Sequence, residues 1–134
     1  LVSAFQLKKS WISEQVSMIS IIDDDRSVRE AVKSLIRSLG YEAVTFASAE
    51  EYLGADGAHD SECVITDLQM PGGMTGMDLQ DRLIADGYRR PIIFMSALSA
   101  EDAGATAASR FLRKPFSDER LIDCLDQALK TRAK

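Results

Sequence analysis

Cys63-Val64-Ile65-Thr66-Asp67-Leu68-Gln69-Met70-Pro71-Gly72-Gly73-Met74-Thr75-Gly76 is the stretch around which the chain is organised. A short apolar run ends in a single carboxylate, Asp67, and a loop rich in proline and glycine follows at once. In an open α/β sheet, reactive side chains stand at such C-terminal strand ends. What converges on Asp67 then depends on how the flanking segments fold.

Upstream, Met18-Ile19-Ser20-Ile21-Ile22 has the continuous apolar character of a buried strand and ends in three acids, Asp23-Asp24-Asp25. Val28, Val32, Leu35, Ile36 and Leu39 then fall on one helical face, stopped by Gly40. Residues 41–46 predict a second strand, and Ser48-Ala49-Glu50-Glu51 a capping box opening a short helix through Leu53. A polar loop over residues 54–61 holds His59, the one histidine.

Downstream, Met77, Leu79, Leu83 and Ile84 predict a third helix closing near Gly87. Pro91 opens a fourth strand, Ile92-Ile93-Phe94-Met95, which ends in Ser96-Ala97. Residues 99–109 are small and interrupted by Gly104, so only a short, weak helix is expected there. Phe111-Leu112-Arg113 predicts a fifth strand, followed by Lys114-Pro115-Phe116. Ser117 caps a last helix with Asp118 and Glu119 in its first turn and an apolar face of Leu121, Cys124 or Leu125, Ala128 and Leu129.

Five such strand–helix units with apolar strands imply a doubly wound parallel sheet with helices on both faces. Right-handed crossovers place every strand C-terminus on one edge, which collects Asp23-Asp24-Asp25, Asp67, Ser96 and Lys114.

Composition sets the outer limits. At 134 residues, 46% hydrophobic and 28% charged, the chain is one globular domain with its own core. A net charge of −5 argues against a nucleic-acid or anionic-membrane surface. Cys63 and Cys124 form no CxxC pair, and a reducing cytoplasm is the expected location. No apolar run approaches the ~20 residues that span a bilayer. Residues 1–17 carry Phe5, Leu7, Trp11, Ile12 and Val16 at loose helical spacing. They are expected to be a mobile leader or an expression-derived extension rather than a partner-binding helix, and the domain is set at residues 18–134.

Carboxylates crowded at strand ends repel one another unless a cation sits among them, and oxygen ligands suit Mg²⁺ or Mn²⁺. Without a His/Cys ligand set, zinc is disfavoured. Acids, a divalent metal, a lysine and a hydroxyl make a phosphoryl-transfer site. No Walker loop is present, so the acceptor is on the protein itself, and Asp67 is the carboxylate placed to be the nucleophile. Each member also has an ordinary structural reading: an acidic run is usually a solvated helix N-terminus, a lone serine a cap, a lone lysine a surface charge. His59 fits a solvated loop better than a phosphate carrier. Met70, Met74 and Met77 fit packing beneath a loop better than a soft-metal site. The specificity lies in the joint order.

In that order the residues resemble the receiver domain of bacterial two-component response regulators, the CheY-like family. The likeness rests on Ile21-Ile22-Asp23-Asp24-Asp25, Asp67-Leu68-Gln69-Met70-Pro71, Ser96-Ala97 and Lys114-Pro115-Phe116, and covers residues 18–131. Ser48-Ala49-Glu50-Glu51-Tyr52-Leu53 is similar to receivers that accompany helix-turn-helix output domains. The resemblance implies a flavodoxin-like (βα)₅ fold with strand order 2-1-3-4-5. It implies that Asp67 accepts phosphoryl from a sensor histidine kinase or phosphotransfer protein. It also implies that Asp24, Asp67 and the Gln69 carbonyl ligate Mg²⁺ (or Mn²⁺), with Asp23 acting through a metal-bound water. Lys114 would pair with a phosphoryl oxygen, Ser96 would donate to another, and Phe111 would change rotamer with the switch. A cis Lys114-Pro115 bond is expected to aim the lysine.

The chain departs from the family pattern in three places. The loop after Asp67 is one residue longer, with Gly72 and Gly73 adjacent, and is expected to be more mobile. The 18 positions from Ser96 to Lys114 (114 − 96) leave the helix between strands four and five about one turn short. The chain ends at Lys134, which leaves a stand-alone receiver and a truncated one as alternatives. The expected function is a phosphoacceptor switch, not an enzyme beyond self-catalysed phosphotransfer and autodephosphorylation. It would act on a downstream protein or output domain without binding nucleic acid or membrane itself, with phosphorylation-dependent dimerisation as a further option. The alternatives are a receiver-like binding module that no longer uses phosphorylation, and a metal-dependent phosphatase. The last is disfavoured because Gln69 stands where such enzymes carry an acid/base.

Overall fold

A computed structural model describes residues 17–57, 60–99 and 110–132. Residues 1–16 of the expected leader, His59 and the expected helix before the fifth strand lie outside the described residues. The described chain runs β1 (Met18–Ile22), α1 (Arg26–Ser38), β2 (Glu42–Phe46), α2 (Ala49–Gly54), β3 (Cys63–Asp67), α3 (Gly76–Ala85), β4 (Ile92–Ser96), β5 (Arg110–Arg113) and α4 (Asp118–Arg132). All five strands are parallel, in the order β2-β1-β3-β4-β5, as expected.

The two-residue period of the central strands divides the core. Ile19, Ile21, Cys63, Ile65, Ile93 and Met95 point to one face, where Val32 and Ile36 of α1 and Leu121, Leu125 and Ala128 of α4 cover them. Ile22, Val64, Ile92 and Phe94 point to the other, under Ala49 and Tyr52 of α2 and Leu79 and Leu83 of α3. On α4 it is Leu125 that is fully buried, while Cys124 is half-buried beside it. Met70 is buried in the second core and Met74 and Met77 pack against it, so the three methionines fill space beneath a loop.

Side-chain caps set the helix starts. Asp25 accepts from the Ser27 amide at 2.8 Å to open α1, and Ser48 from Glu51 at 3.0 Å to open α2. Thr75 and Asp78 form a reciprocal capping box at α3 that the apolar pattern from Met77 onward gave no sign of. Ile84 lies in α3, as expected, but on its solvent side, where it is 60% exposed. Leu79 and Leu83, one turn apart, face the sheet, and the next residue is rotated about 100° away from it. Tyr41 precedes β2 instead of opening it.

Gly76, the first residue of α3, is where the helix meets the strand. A Cβ there would stand 2.7 Å from the Asp67 carbonyl oxygen and 2.9 Å from Leu68 Cα, and its amide already donates to the Leu68 carbonyl at 2.9 Å. Backbone atoms cannot swing aside, so glycine is required for this close approach. Alanine is the better helix former by about 1 kcal/mol, yet Gly76→Ala is expected to destabilise by about 1–3 kcal/mol because the clash is with main chain. Urea denaturation checks this: the midpoint should fall with unchanged slope.

Candidate functional site

Strand register brings the polar residues together. Ile22 pairs with Thr66, so Asp23 and Asp67 leave the sheet side by side. Asp67 pairs with Met95, and Ser96 with Arg113, which sets Ser96 and Lys114 on the other flank. The Lys114 amide donates to the Ser96 carbonyl at 2.7 Å, fixing the start of the loop after β5. The Lys114-Pro115 bond is cis, as expected.

Asp23 is fully buried, Asp67 is 6% exposed and Asp24 faces solvent. Carboxylate oxygens of the three lie within 4.8 Å of one another. The ammonium of Lys114 sits 2.7 Å from Asp23 Oδ2 and 3.6 Å from Asp67 Oδ2, so its tighter partner is Asp23. The other Asp23 oxygen accepts from the Asp25 amide at 2.8 Å, and the Arg29 guanidinium donates to the Asp23 carbonyl at 2.7 Å. Asp67 is held more loosely, its Oδ1 receiving only a long 3.4 Å contact from the Gln69 amide.

Burial raises the Asp67 carboxyl to about 6, and the neighbouring Asp23 charge adds to the effect against the opposing pull of Lys114. Lys114 loses solvation on burial, but its hydrogen bond and attraction to Asp23, with a further contribution from Asp67, outweigh that and raise its pKa. At the pocket rim, hydrogen bonds from Ser27 hold the Asp25 carboxyl below the ordinary aspartate range. The pocket is therefore short of positive charge. Its clustered hard-oxygen donors fit a divalent cation of the Mg²⁺ or Mn²⁺ type. Ser96 is buried with its Oγ accepting from the Leu98 amide at 3.0 Å, which leaves the hydroxyl proton to donate elsewhere. Phe111 is half-buried, pairs in register with Phe94 and packs against the second core.

The model of the response regulator receiver domain matches residues 19–126. The chain belongs to the response regulator receiver family. Among curated relatives of this receiver, the response regulator protein TmoT of Ectopseudomonas mendocina is 39% identical over 93% of the chain and 58% of its own length. The transcriptional regulatory protein TdiR of Thauera aromatica is 35% identical, covering 84% of the receiver and 51% of the relative. The chain thus spans little more than half of these relatives. The solved response regulator StyR superposes with a TM-score of 0.71 at 36% identity, over 88% of the receiver and 61% of that structure. The Vibrio cholerae chemotaxis protein CheY4 gives 0.71 at 26% identity over 85% and 99%. The fold is the CheY-like receiver fold, and the protein is a receiver domain of two-component signalling.

The sequence-predicted residues Asp23, Asp24, Asp67, Gln69, Ser96 and Lys114 all lie at one sheet edge. Three contacts had no sequence signal strong enough to find them. These are the Lys114–Asp23 pair, the Arg29 contact to the Asp23 carbonyl, and a hydrogen bond from the Met74 amide to Glu50 on α2, at 2.8 Å.

The raised Asp67 pKa has a definite sign. An unfolded aspartate has a pKa of 3.8, against about 6 in the fold, so between those values the fold binds the proton more tightly. Stability falls as pH rises from 3.8 to about 6, and the full cost is present above that. Asp67→Asn is expected to raise the melting temperature at pH 7 in chelator by a few degrees, on the order set by a cost of about 1 kcal/mol. The gain should shrink as pH is lowered towards 4. Millimolar Mg²⁺ should stabilise the wild type and leave Asp67→Asn nearly unchanged, as thermal scans with and without the metal would show.

Proposed function

We propose that the receiver accepts a phosphoryl group on Asp67 from the phosphohistidine of a sensor histidine kinase or phosphotransfer protein. The resulting change of state controls a partner or output domain. The observation that carries this reading is the Asp67 carboxylate, buried at a strand end within 4.8 Å of two further carboxylates and 3.6 Å from Lys114 Nζ.

In the transfer an Asp67 oxygen bonds to phosphorus as the phosphorus–nitrogen bond of the donor breaks, and the imidazole nitrogen leaves with the bonding pair. Asp24, Asp67 and the Gln69 carbonyl would hold Mg²⁺ directly, and Asp23 through water. The bound cation supplies neutralisation of the incoming phosphoryl charge. Lys114 stands close enough to both acids to turn from Asp23 towards a new phosphoryl oxygen with a small movement. Ser96 offers its hydroxyl proton to another oxygen, and Phe111 follows the displaced Ser96 loop. Because these groups reside in one chain, phosphotransfer from a small donor and later hydrolysis need no separate catalyst.

Relatives that are about twice as long and named as response regulators or transcriptional regulatory proteins support a downstream output in transcription. The receiver itself acts in the cytoplasm, without contacting nucleic acid or membrane. Among the described residues no helix is long and apolar enough to cross a membrane.

Incubation with acetyl phosphate and Mg²⁺ should add one phosphoryl group, read by intact mass, with acetate as the leaving group. Asp67→Asn should add none. No gain in the wild type, or an equal gain in the variant, overturns the reading.

A further inference from the structure

The loop that joins Asp67 to α3 carries the residues next to the candidate phosphoacceptor, and its two ends are held by local contacts. The Leu68 amide donates to the Met95 carbonyl at 2.8 Å, and the Gly76 amide closes the loop onto Leu68 at 2.9 Å. Between them run Gln69 to Thr75, including the Gly72-Gly73 pair, with Gly72 in the left-handed region at φ +85°.

Among the described residues, the middle of this loop is packed on the second core through Met70 and Met74 and takes one side-chain hydrogen bond from outside the loop. Glu50, on the first turn of α2 and 24 positions earlier in the chain, accepts the Met74 amide at 2.8 Å through Oε2. The cap of α2 leaves Glu50 available for this. Ser48 takes the Glu51 amide, and it is the Glu51 carboxylate, at 3.3 Å, that reaches back to the Ala47 amide. The two glutamates have separate tasks: Glu51 closes the helix and Glu50 reaches across to the loop.

Gly73 has a matching requirement. A Cβ at Gly73 would lie 2.9 Å from Glu50 Oε2, closer than real Cβ contacts come, and a tight 3.1 Å from Oε1. Only a residue without a side chain lets the carboxylate sit flush on the loop. The obstruction would be the far end of a flexible side chain, so alanine at 73 would displace the carboxylate without breaking the fold. The extra glycine of the loop thus has a use: it makes room for a tether.

The α2 turn is itself anchored beside the acidic pocket. Phe46, just before it, accepts the Asp23 amide at 3.1 Å and stacks edge-on against Tyr52 of α2 with ring centroids 5.2 Å apart. A path of direct contacts therefore runs from Asp23 through Phe46 and α2 to Glu50 and the loop after Asp67.

We infer that Glu50 is a positioning residue. By holding the Met74 amide it fixes the loop that presents Gln69 beside Asp67, and so sets how tightly the pocket takes a divalent cation and how fast Asp67 takes phosphoryl. The inference rests on the proposed function for the meaning of that pocket. Glu50 touches none of the reacting atoms.

The test uses the wild type with Glu50→Ala, Gly73→Ala and Glu50→Gln, read by calorimetric Mg²⁺ titration and by the rate of mass gain with acetyl phosphate. Glu50→Ala and Gly73→Ala should both weaken Mg²⁺ binding and slow phosphorylation by about two- to tenfold, the range one ordinary hydrogen bond at an exposed site supports. Their metal-free melting temperatures should stay close to the wild type, since both sites are exposed. Glu50→Gln keeps an acceptor oxygen and should recover most of the loss. Wild-type values in both Glu50→Ala and Gly73→Ala would overturn the inference while leaving the proposed function standing. A loss in Glu50→Gln equal to that in Glu50→Ala would overturn it too, since charge and not the tether would then be responsible. Failure of the proposed function looks different: the wild type itself would take no phosphoryl group, or Asp67→Asn would take as much.

Discussion

Asp23 and Asp67 are buried side by side at the C-terminal edge of the sheet, with Asp24 at the rim and Lys114 between the two buried acids. Three carboxylates and one ammonium leave a charge of −2 when all are ionised. Two like charges about 4–5 Å apart repel by roughly 3–4 kcal/mol at the effective dielectric of a protein margin. Lys114 offsets part of that, and the desolvation of the acids adds a cost that no neighbour cancels. It is borne by the packing of β1, β3 and β4, whose apolar side chains are almost completely buried on both faces of the sheet. The lysine relieves Asp23 more than Asp67, and the 2.7 and 3.6 Å distances show where the relief goes. Asp67 is left as the less satisfied acid; burial, with the neighbouring Asp23 charge adding to it, pushes its carboxyl up to about 6.

The strand register carries this arrangement. In a sheet buried on both sides, a one-residue slip of β3 against β1 would turn every side chain to the opposite face. It would send Cys63 and Ile65 into the α2–α3 core and withdraw Asp67 from Asp23. The close approach of Gly76 to the Asp67 carbonyl adds a second lock, since α3 can begin there only if the strand ends where it does. Packing and chemistry therefore specify the same register, which is the consistency a single native state requires.

Much of this was legible in the sequence for a physical reason. Continuous apolar runs ending in a polar residue mark the C-terminal ends of parallel strands, and crossover handedness then puts those ends on one edge. Asp23, Asp24, Asp67, Ser96 and Lys114 came from that logic together with the family likeness. Contacts between side chains chosen among several nearby partners were not legible. Nothing in the order of residues says that Lys114 prefers Asp23 to Asp67; the preference is read only from the 2.7 and 3.6 Å distances in the folded pocket. Which of Leu83 and Ile84 faces the core was not legible either, because two adjacent apolar residues satisfy helical spacing whichever one is buried. The Glu50–Met74 bond spans 24 residues between two loop-proximal sites, and no periodicity points across such a gap.

The competition for Lys114 explains how a change at Asp67 would travel. A phosphoryl group brings about one further negative charge and three strong acceptor oxygens to a carboxylate that has only a share of the lysine. Lys114 would then be drawn from Asp23 towards the new oxygens. It cannot shift without consequence, because its amide is bonded to the Ser96 carbonyl and its chain neighbour Arg113 is paired with Ser96 across β4 and β5. Under the proposed function Ser96 would move in the same direction, its hydroxyl turning to the phosphoryl group. Both displacements act on the β4–β5 side, where Phe111 is only half-buried and has room to change. The Asp23 side stays fixed by the Arg29 and Asp25 contacts to its main and side chain. The asymmetry already present at the pocket, one acid held firmly and one loosely, would give the proposed switch its direction.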